Sequence, residues 1–251
     1  MAVIGIDLGT TNSLAGVWQD GKVVLIPNAF GEYLTPSVVS IGKNQEVFVG
    51  SVAKEMLATQ PYDTFREFKR NMGTNFLYGN GRKKYRAEEL SAFVLRRLKE
   101  DAEKFLGEEV TEAVISVPAY FDDNKRNATK NAGRLAGLKV ERLINEPSAV
   151  ALKHHTAEKG AESFIVFDFG GGTLDVSLVE AFDNVVEIQA VAGDNYLGGK
   201  DFNEIIAQDF YEQNQISEAY LTKNEQENVL KEAEAVKKEL TDKNEAERQV
   251  Y

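Results

Sequence analysis

Apolar residues open the chain in short dense runs, broken at set points by small polar residues. Val3–Asp7 and Leu14–Val17 read as two strands joined by a polar turn, and Lys22–Ile26 as a third. Asp20-Gly21 between the last two is a strong hairpin dipeptide, since both residue types accept positive φ. The stretch "PNAFGEYLTPS" reads as a loop from its Pro, Gly and Asn. Val47–Val49 is a short strand. Val52–Thr59 and Thr64–Met72 read as helices flanking Pro61, with Asp63 as N-cap of the second. Between residues 85 and 107, Leu90, Phe93, Val94, Leu98, Ala102 and Phe105 keep helical spacing, and Gly107 sits where a glycine ends a helix.

The next run, "EAVISVPAYF", is a buried strand ending at Pro118, followed by a helix that Asp122 or Asp123 caps and Gly137 closes. "KVERLINEPSAVALKHH" gives a strand, a turn at Glu146-Pro147 and another helix. This strand–helix alternation implies parallel strands and an α/β class. Near Ser163 the pattern restarts. "SFIVFDFGGGTLDVSLVEAF" is strand, glycine turn, strand, and "VVEIQAVAGD" is a third strand. "DFNEIIAQDFYEQ" and "NEQENVLKEAEAVKKELT" read as helices, and the terminal "AERQVY" as the opening of another strand. "KGAES", residues 159–163, is the best boundary, dividing the chain into 1–162 and 163–251.

The restart is a repeat. "IGIDLGTTNSLAGVW" and "IVFDFGGGTLDVSLV" share one plan: apolar strand, Asp, one apolar residue, Gly, small residues with Thr, apolar strand. Asp7 aligns with Asp168, and Gly9 with Gly170. Two such units in two similar halves point to a duplicated scaffold with one site between them. A glycine turn lets backbone N–H groups approach a phosphate, because no Cβ intervenes. An Asp facing that turn would be repelled by bare phosphate, and Mg²⁺ with retained waters is the cation that reconciles them. Asp7, in a strand that reads as buried, would be kept in a costly place by that metal. Taken singly, each Asp also reads as a turn former in a plain hairpin. No GxxxxGK[ST] or GxGxxG phosphate signature is present; "GDNYLGGK" places its lysine one position late.

Composition narrows the field. The formal net charge of −11 argues against a nucleic-acid partner, since phosphate backbones need clustered Lys and Arg. It leaves nucleotides open. There are no cysteines, which excludes disulfides, thiolate catalysis and Cys-based zinc sites. The two histidines, His154 and His155, are adjacent and offer no metal-ligand spacing. No basic leader precedes the first apolar run and no membrane span is expected, so the cytoplasm is the default setting. Asn127-Ala128-Thr129 fits a glycosylation sequon by chance.

Six stretches, "IGIDLGTTNS", "TPSVVSI", "VPAYFDDNKRNATKNAG", "INEPSAVAL", "FDFGGGTLDVSLVE" and "GDNYLGGKDFN", together resemble the nucleotide-binding domain of the 70-kDa heat-shock chaperones over essentially the whole chain. Within that family the best match is the bacterial HscC type. The resemblance implies an actin-like ATPase (ribonuclease H-like) fold, with two lobes around a cleft holding ATP or ADP and Mg²⁺, with K⁺ nearby. Lobe I would span 1–162, its inner part about 1–35 and 108–162 and its outer part about 36–107. Lobe II would have inner strands at 163–199 and the start of an outer part at 200–251.

By that resemblance Thr10, Thr11 and Asn12, after Gly9, line the first phosphate turn, and Gly170, Gly171, Gly172 and Thr173 form the second. Asp7 and Asp168 hold the metal through water. Gly198 and Gly199 touch the nucleotide. Lys69 reaches the γ-phosphate and attacking water, and Glu146 and Asp175 orient water and magnesium. Pro118 and Arg126 relay nucleotide state to a peptide-binding domain. Glu234, Lys237, Lys238 and Thr241 fall at i, i+3, i+4 and i+7, one polar helix face that also reads as a solvated stripe; by resemblance it lies against adenine and ribose. Implied partners are a J-domain co-chaperone, a nucleotide exchange factor and client polypeptides.

Two departures matter. The stretch between Met72 and Tyr85 is shorter than in mainstream members, which puts co-chaperone contacts there in doubt. The chain stops at Tyr251, before the remaining family elements, so a truncated second lobe, self-association or poor order of the last third, and weak nucleotide affinity are expected. Two other classes share the scaffold: a small-molecule kinase and a non-catalytic filament or interaction protein of the actin-like type.

Overall fold

The computed structural model describes residues 2–79, 83–154, 160–182 and 185–250. His155 and part of the 159–163 boundary lie outside them. The first half is organised on a six-stranded mixed sheet. Its strands are β1 (Ala2–Asp7), β2 (Asn12–Gln19), β3 (Lys22–Ile26), β4 (Thr35–Pro36), β8 (Val110–Val117) and β9 (Lys139–Asn145). The order is β3-β2-β1-β8-β9, with β4 paired to β2. β1 runs antiparallel to β2 and parallel to β8, which is parallel to β9. Asp20 and Gly21, with φ of 52° and 78°, make the tight β2–β3 turn.

A smaller sheet, β6-β5-β7, is formed by β5 (Val38–Ile41), β6 (Val47–Val49) and β7 (Thr64–Arg66), with α1 (Ser51–Thr59) against it. Two expectations change here. "PNAFGEYLTPS" is not loop to its end: Thr35–Pro36 form β4, and β5 follows from Val38. Thr64–Met72 is not a helix: β7 pairs with β5, Glu67 turns to φ 58°, and a 3₁₀ turn follows at Phe68–Asn71. Thr64 and Phe65 suit a pleated strand, and the open partner β5 outweighs the helical spacing. Asp63 therefore caps no helix.

The core fills the space between the large sheet and two helices, α2 (Ala87–Leu106) and α3 (Asp123–Leu135). Leu90, Val94, Leu95, Leu98 and Ala102 of α2 pack with Ile4, Ile6, Ile115 and Val117 of the sheet. Gly107, at φ 70°, ends α2, while Phe105 is left exposed. Asp122 caps α3 by accepting from the Lys125 N–H at 2.9 Å.

The second half holds a three-stranded antiparallel sheet of β10 (Glu162–Phe169), β11 (Leu174–Phe182) and β12 (Val185–Asp194). α4 (Glu146–His154) packs against it, with His154 edge-on to Phe164 at 5.4 Å. α5 (Gly199–Gln213) and α6 (Lys223–Glu239) pack on each other through Ala207, Tyr211, Val229 and Ala233. α6 stops at Glu239, so Thr241 lies in the following turn. "AERQVY" forms no strand among its described residues; Val250 instead packs near the α5–α6 cluster. The repeat is real in three dimensions. Asp7 is registered opposite Leu14, and Asp168 opposite Asp175, at the same spacing along the chain. β10 presents Ile165 and Phe167 at 67% and 66% exposure, and its free edge corresponds to the edge of β1 that β8 covers. Among the described residues no helix is long and apolar enough to cross a membrane.

Ile115 is fully buried at the centre of the large sheet. Ile115→Ala is expected to cost about 3 kcal/mol in urea unfolding, as a cavity there has little room to collapse.

Candidate functional site

The two hairpin turns meet. A Cβ on Gly171 would overlap Thr11 Oγ1, and one on Gly172 would come 3.1 Å from Thr10 Cγ2. Such contact is open only to glycine at 171 and 172. The turns border a cleft of about 1070 Å³ whose lining includes Asp7, Thr10, Thr11, Lys69, Glu146, Asp168, Gly171 and Thr173. Gly9, Asn12 and Gly170 line it too.

Asp7 and Asp168 are exposed to this cleft rather than buried. The cost that the sequence assigned to Asp7 is therefore absent: it stands at the end of its strand, where the sheet opens. Ser116 sits beside it in the parallel register of β1 and β8, and its hydroxyl donates to Asp7 Oδ1 at 2.7 Å. Lys69, by contrast, is 8% exposed. The 3₁₀ turn carries it inward, where its Nζ donates to Glu146 Oε1 at 2.8 Å from the start of α4.

The carboxylates crowd one another. Burial pushes the Glu146 carboxyl above its ordinary value despite the Lys69 ammonium, and Asp7 and Asp168 push the same way. Asp175 is raised to about 6, by burial first and then by Glu146 and Asp168, although it accepts a hydrogen bond from the Thr173 side chain. Burial, Asp175 and Glu146 also drive up the Tyr120 hydroxyl. Tyr120 and Ser116 carried no role in the sequence reading. Tyr120 was visible as the aromatic of "VPAYF"; Ser116 becomes a neighbour of Asp7 only through parallel pairing.

Pro118 borders a small recess with Glu146, Asp168 and Asp175. Arg126 ties the loop after Pro118 to the strand before Glu146: its Nε donates to the Phe121 carbonyl at 2.8 Å and its Nη2 to Asn145 Oδ1 at 2.7 Å.

Both turns have their carbonyls drawn outward. Ser37 Oγ donates to Gly9 O at 2.8 Å, and Ser37 N–H to Thr11 O at 2.8 Å. On the second turn, Gly199 N–H donates to Gly170 O at 3.0 Å and Lys200 N–H to Gly171 O at 2.9 Å. A Cβ on Gly198 would overlap Gly172 N. Gly198 and Gly199 thus brace the hairpin.

The α6 face lies farther out. Lys237 Nζ donates to Gly199 O at 2.6 Å. Glu234 is bound by Lys54 of α1 and Lys238, both at 2.8 Å. Arg66 holds Glu227 in a two-point pair at 2.9 and 3.2 Å. Lys54 and Arg66 thus close α6 onto α1 and β7 beside a pocket that also touches Thr11 and Gly171. Thr241 is exposed and does not line that pocket.

Among the described residues no three His, Asp or Glu side chains are gathered to hold a metal by themselves. The donor set instead fits a hard cation that keeps its waters and takes one or two carboxylates plus phosphate oxygens. Amide-lined turns beside free carboxylates fit the same pairing of anion and cation.

A mixed α/β chain with a duplicated strand–turn–strand plan around one cleft is consistent with the actin-like ATPase fold. The family model described as Hsp70 protein matches residues 3–80 and 77–250, and the chain belongs to the Hsp70 family. Members of that family are in general ATPases that bind ATP or ADP with Mg²⁺ and work with J-domain co-chaperones and exchange factors.

Burial would raise the Glu234 carboxyl, but hydrogen bonds from Lys238 and Lys54 win and hold it down at about 2, against an ordinary 4.5. A depressed acid stabilises fully above its unfolded value and loses that contribution as pH falls. Between pH 5 and pH 2.5 the protein should therefore lose on the order of 1 kcal/mol more stability than Glu234→Gln, after discounting for solvent screening. Urea melts at both pH values check this; parallel losses would refute it.

Proposed function

We propose that this chain binds Mg-ATP between its two glycine hairpins and hydrolyses it, as the nucleotide-binding module of an Hsp70-type chaperone. The observation that carries the reading is the meeting of the two turns over a cleft that also contains the buried Lys69–Glu146 pair. On this reading residues 1–162 and 163–251 contribute the two lobes.

Amides of Thr10, Thr11 and Asn12 and of Gly171, Gly172 and Thr173 bind phosphate oxygens from opposite sides. Asp7 and Asp168 would hold Mg²⁺, and the ion would supply charge neutralisation at the phosphates. Lys69 places an ammonium against the γ-phosphate and fixes the Glu146 carboxylate. Glu146 and Asp175, both raised towards neutrality, orient a water and accept its proton as its oxygen attacks phosphorus and the bridging oxygen leaves. Lys237 and Glu234 face the nucleoside end, with Lys238 and Thr241 along the same stretch. For Glu234 this requires exchange of its ammonium partners. Pro118 and Arg126 couple Glu146 to the segment ending at the buried Phe121, the relay to a client-binding domain. A bacterial HscC-type identity, a cytoplasmic setting and nearby K⁺ belong to the same proposal.

Lys69→Ala should lower single-turnover ATP hydrolysis by roughly 10²–10³-fold while Mg-ATP affinity stays within a few-fold. Unchanged turnover would sink the assignment. Phosphate appearing on an added sugar or carboxylate instead of in solution would favour the kinase reading.

A further inference from the structure

The second hairpin differs from the first in one respect that the reaction does not use. Three of its consecutive carbonyls are claimed from outside the cleft. Gly170 O and Gly171 O accept from Gly199 and Lys200, first-turn N–H groups that a helix leaves without internal partners. Gly172 O accepts from Arg70 Nη2, a side chain from the other half of the molecule. Arg70 lies outside the residues that line the cleft, whereas Gly171 and Thr173 line it.

The approach of Arg70 requires glycine at 172, where a Cβ would come 2.9 Å from Nη2 and 3.0 Å from Nε. Arg70 Nε is buried and makes no hydrogen bond, so the hold on the hairpin rests on Nη2. The guanidinium is itself fixed. Glu67 Oε2 is 3.4 Å from Arg70 Nη1 and 3.1 Å from Lys200 Nζ, and the Tyr196 ring lies 5.8 Å from Arg70 Cζ. One carboxylate oxygen therefore anchors both Arg70 and the residue whose N–H holds Gly171 O. Glu67 reaches this position with φ 58°.

A peptide group is planar and trans, so pinning the Gly172 carbonyl to one side points the Thr173 N–H to the other. A run of glycines itself puts little restraint on the flip of that plane. We propose that Arg70 is a positioning residue: by holding the Gly172 carbonyl away from the cleft, it keeps the Thr173 amide set beside the Gly172 amide, which the Lys200 N–H fixes through the Gly171 carbonyl, as a preformed anion site. This rests on the phosphate-binding reading above.

The test uses the 251-residue chain, with Arg70→Met and Arg70→Lys, followed by amide NMR and by calorimetry with Mg²⁺ and a non-hydrolysable ATP analogue. Arg70→Met keeps the stem and removes the donors. It should broaden the Gly172 and Thr173 amides without nucleotide, as the peptide plane exchanges, and weaken analogue binding about 10- to 100-fold. Arg70→Lys should recover affinity to within about fivefold of the wild type and sharpen the same two amides. Sharp, unshifted amides in nucleotide-free Arg70→Met overturn the proposal whether or not the analogue binds. Wild-type protein that binds no analogue overturns the phosphate reading instead. Weakened binding with wild-type amide behaviour makes Arg70 a direct phosphate ligand and also overturns positioning. Should Arg70→Met not fold, Glu67→Gln carries the test, with broadening of the same two amides expected and unchanged lines overturning it.

Discussion

Like charge is gathered at one place in this molecule, and the surrounding structure is arranged to tolerate it. Asp7, Glu146 and Asp168 open onto one cleft, with Asp175 against its recess, and Lys69 sits among them paired to Glu146. Burial and mutual repulsion raise Glu146 and Asp175. Carboxylates held this close are costly without a cation, and they cluster at functional sites for that reason. The two hairpins supply the complement, glycine turns whose carbonyls face away from the cleft. On the proposed reading, anion and cation would be held side by side by the same strands.

The duplication explains how such a site arises twice. Each half presents an antiparallel pair with an Asp at the mouth and glycine beyond it, in the same register. The supports differ. Ser37 holds the first turn from β4–β5, while the second is held by the start of α5 and by Arg70. Because Glu67 and Arg70 lie close together in the first half and grip Lys200 and Gly172 of the second, the halves are tied at the turns themselves. The α1–α6 ion pairs tie them again at the outer edge.

Much of this was legible in the sequence because it is local. The strands with apolar runs, the Asp20-Gly21 turn, the Gly107 stop and the repeat all depend on neighbours within a few residues. What was illegible depends on partners far along the chain. Thr64–Met72 reads as helix until β5 offers an edge. Ser116 meets Asp7 only through parallel register. Asp7 read as buried because its strand is apolar, though the strand end opens to solvent. Glu234 read as part of a solvated helix stripe until α1 brought Lys54 to it.

The most direct measurement is a crystal structure of the chain with Mg²⁺ and a non-hydrolysable ATP analogue. The account predicts phosphate density within hydrogen-bond reach of amides from both hairpins, and a divalent ion between Asp7 and Asp168. Phosphates held by one hairpin alone, or a nucleotide bound away from both carboxylates, would contradict it.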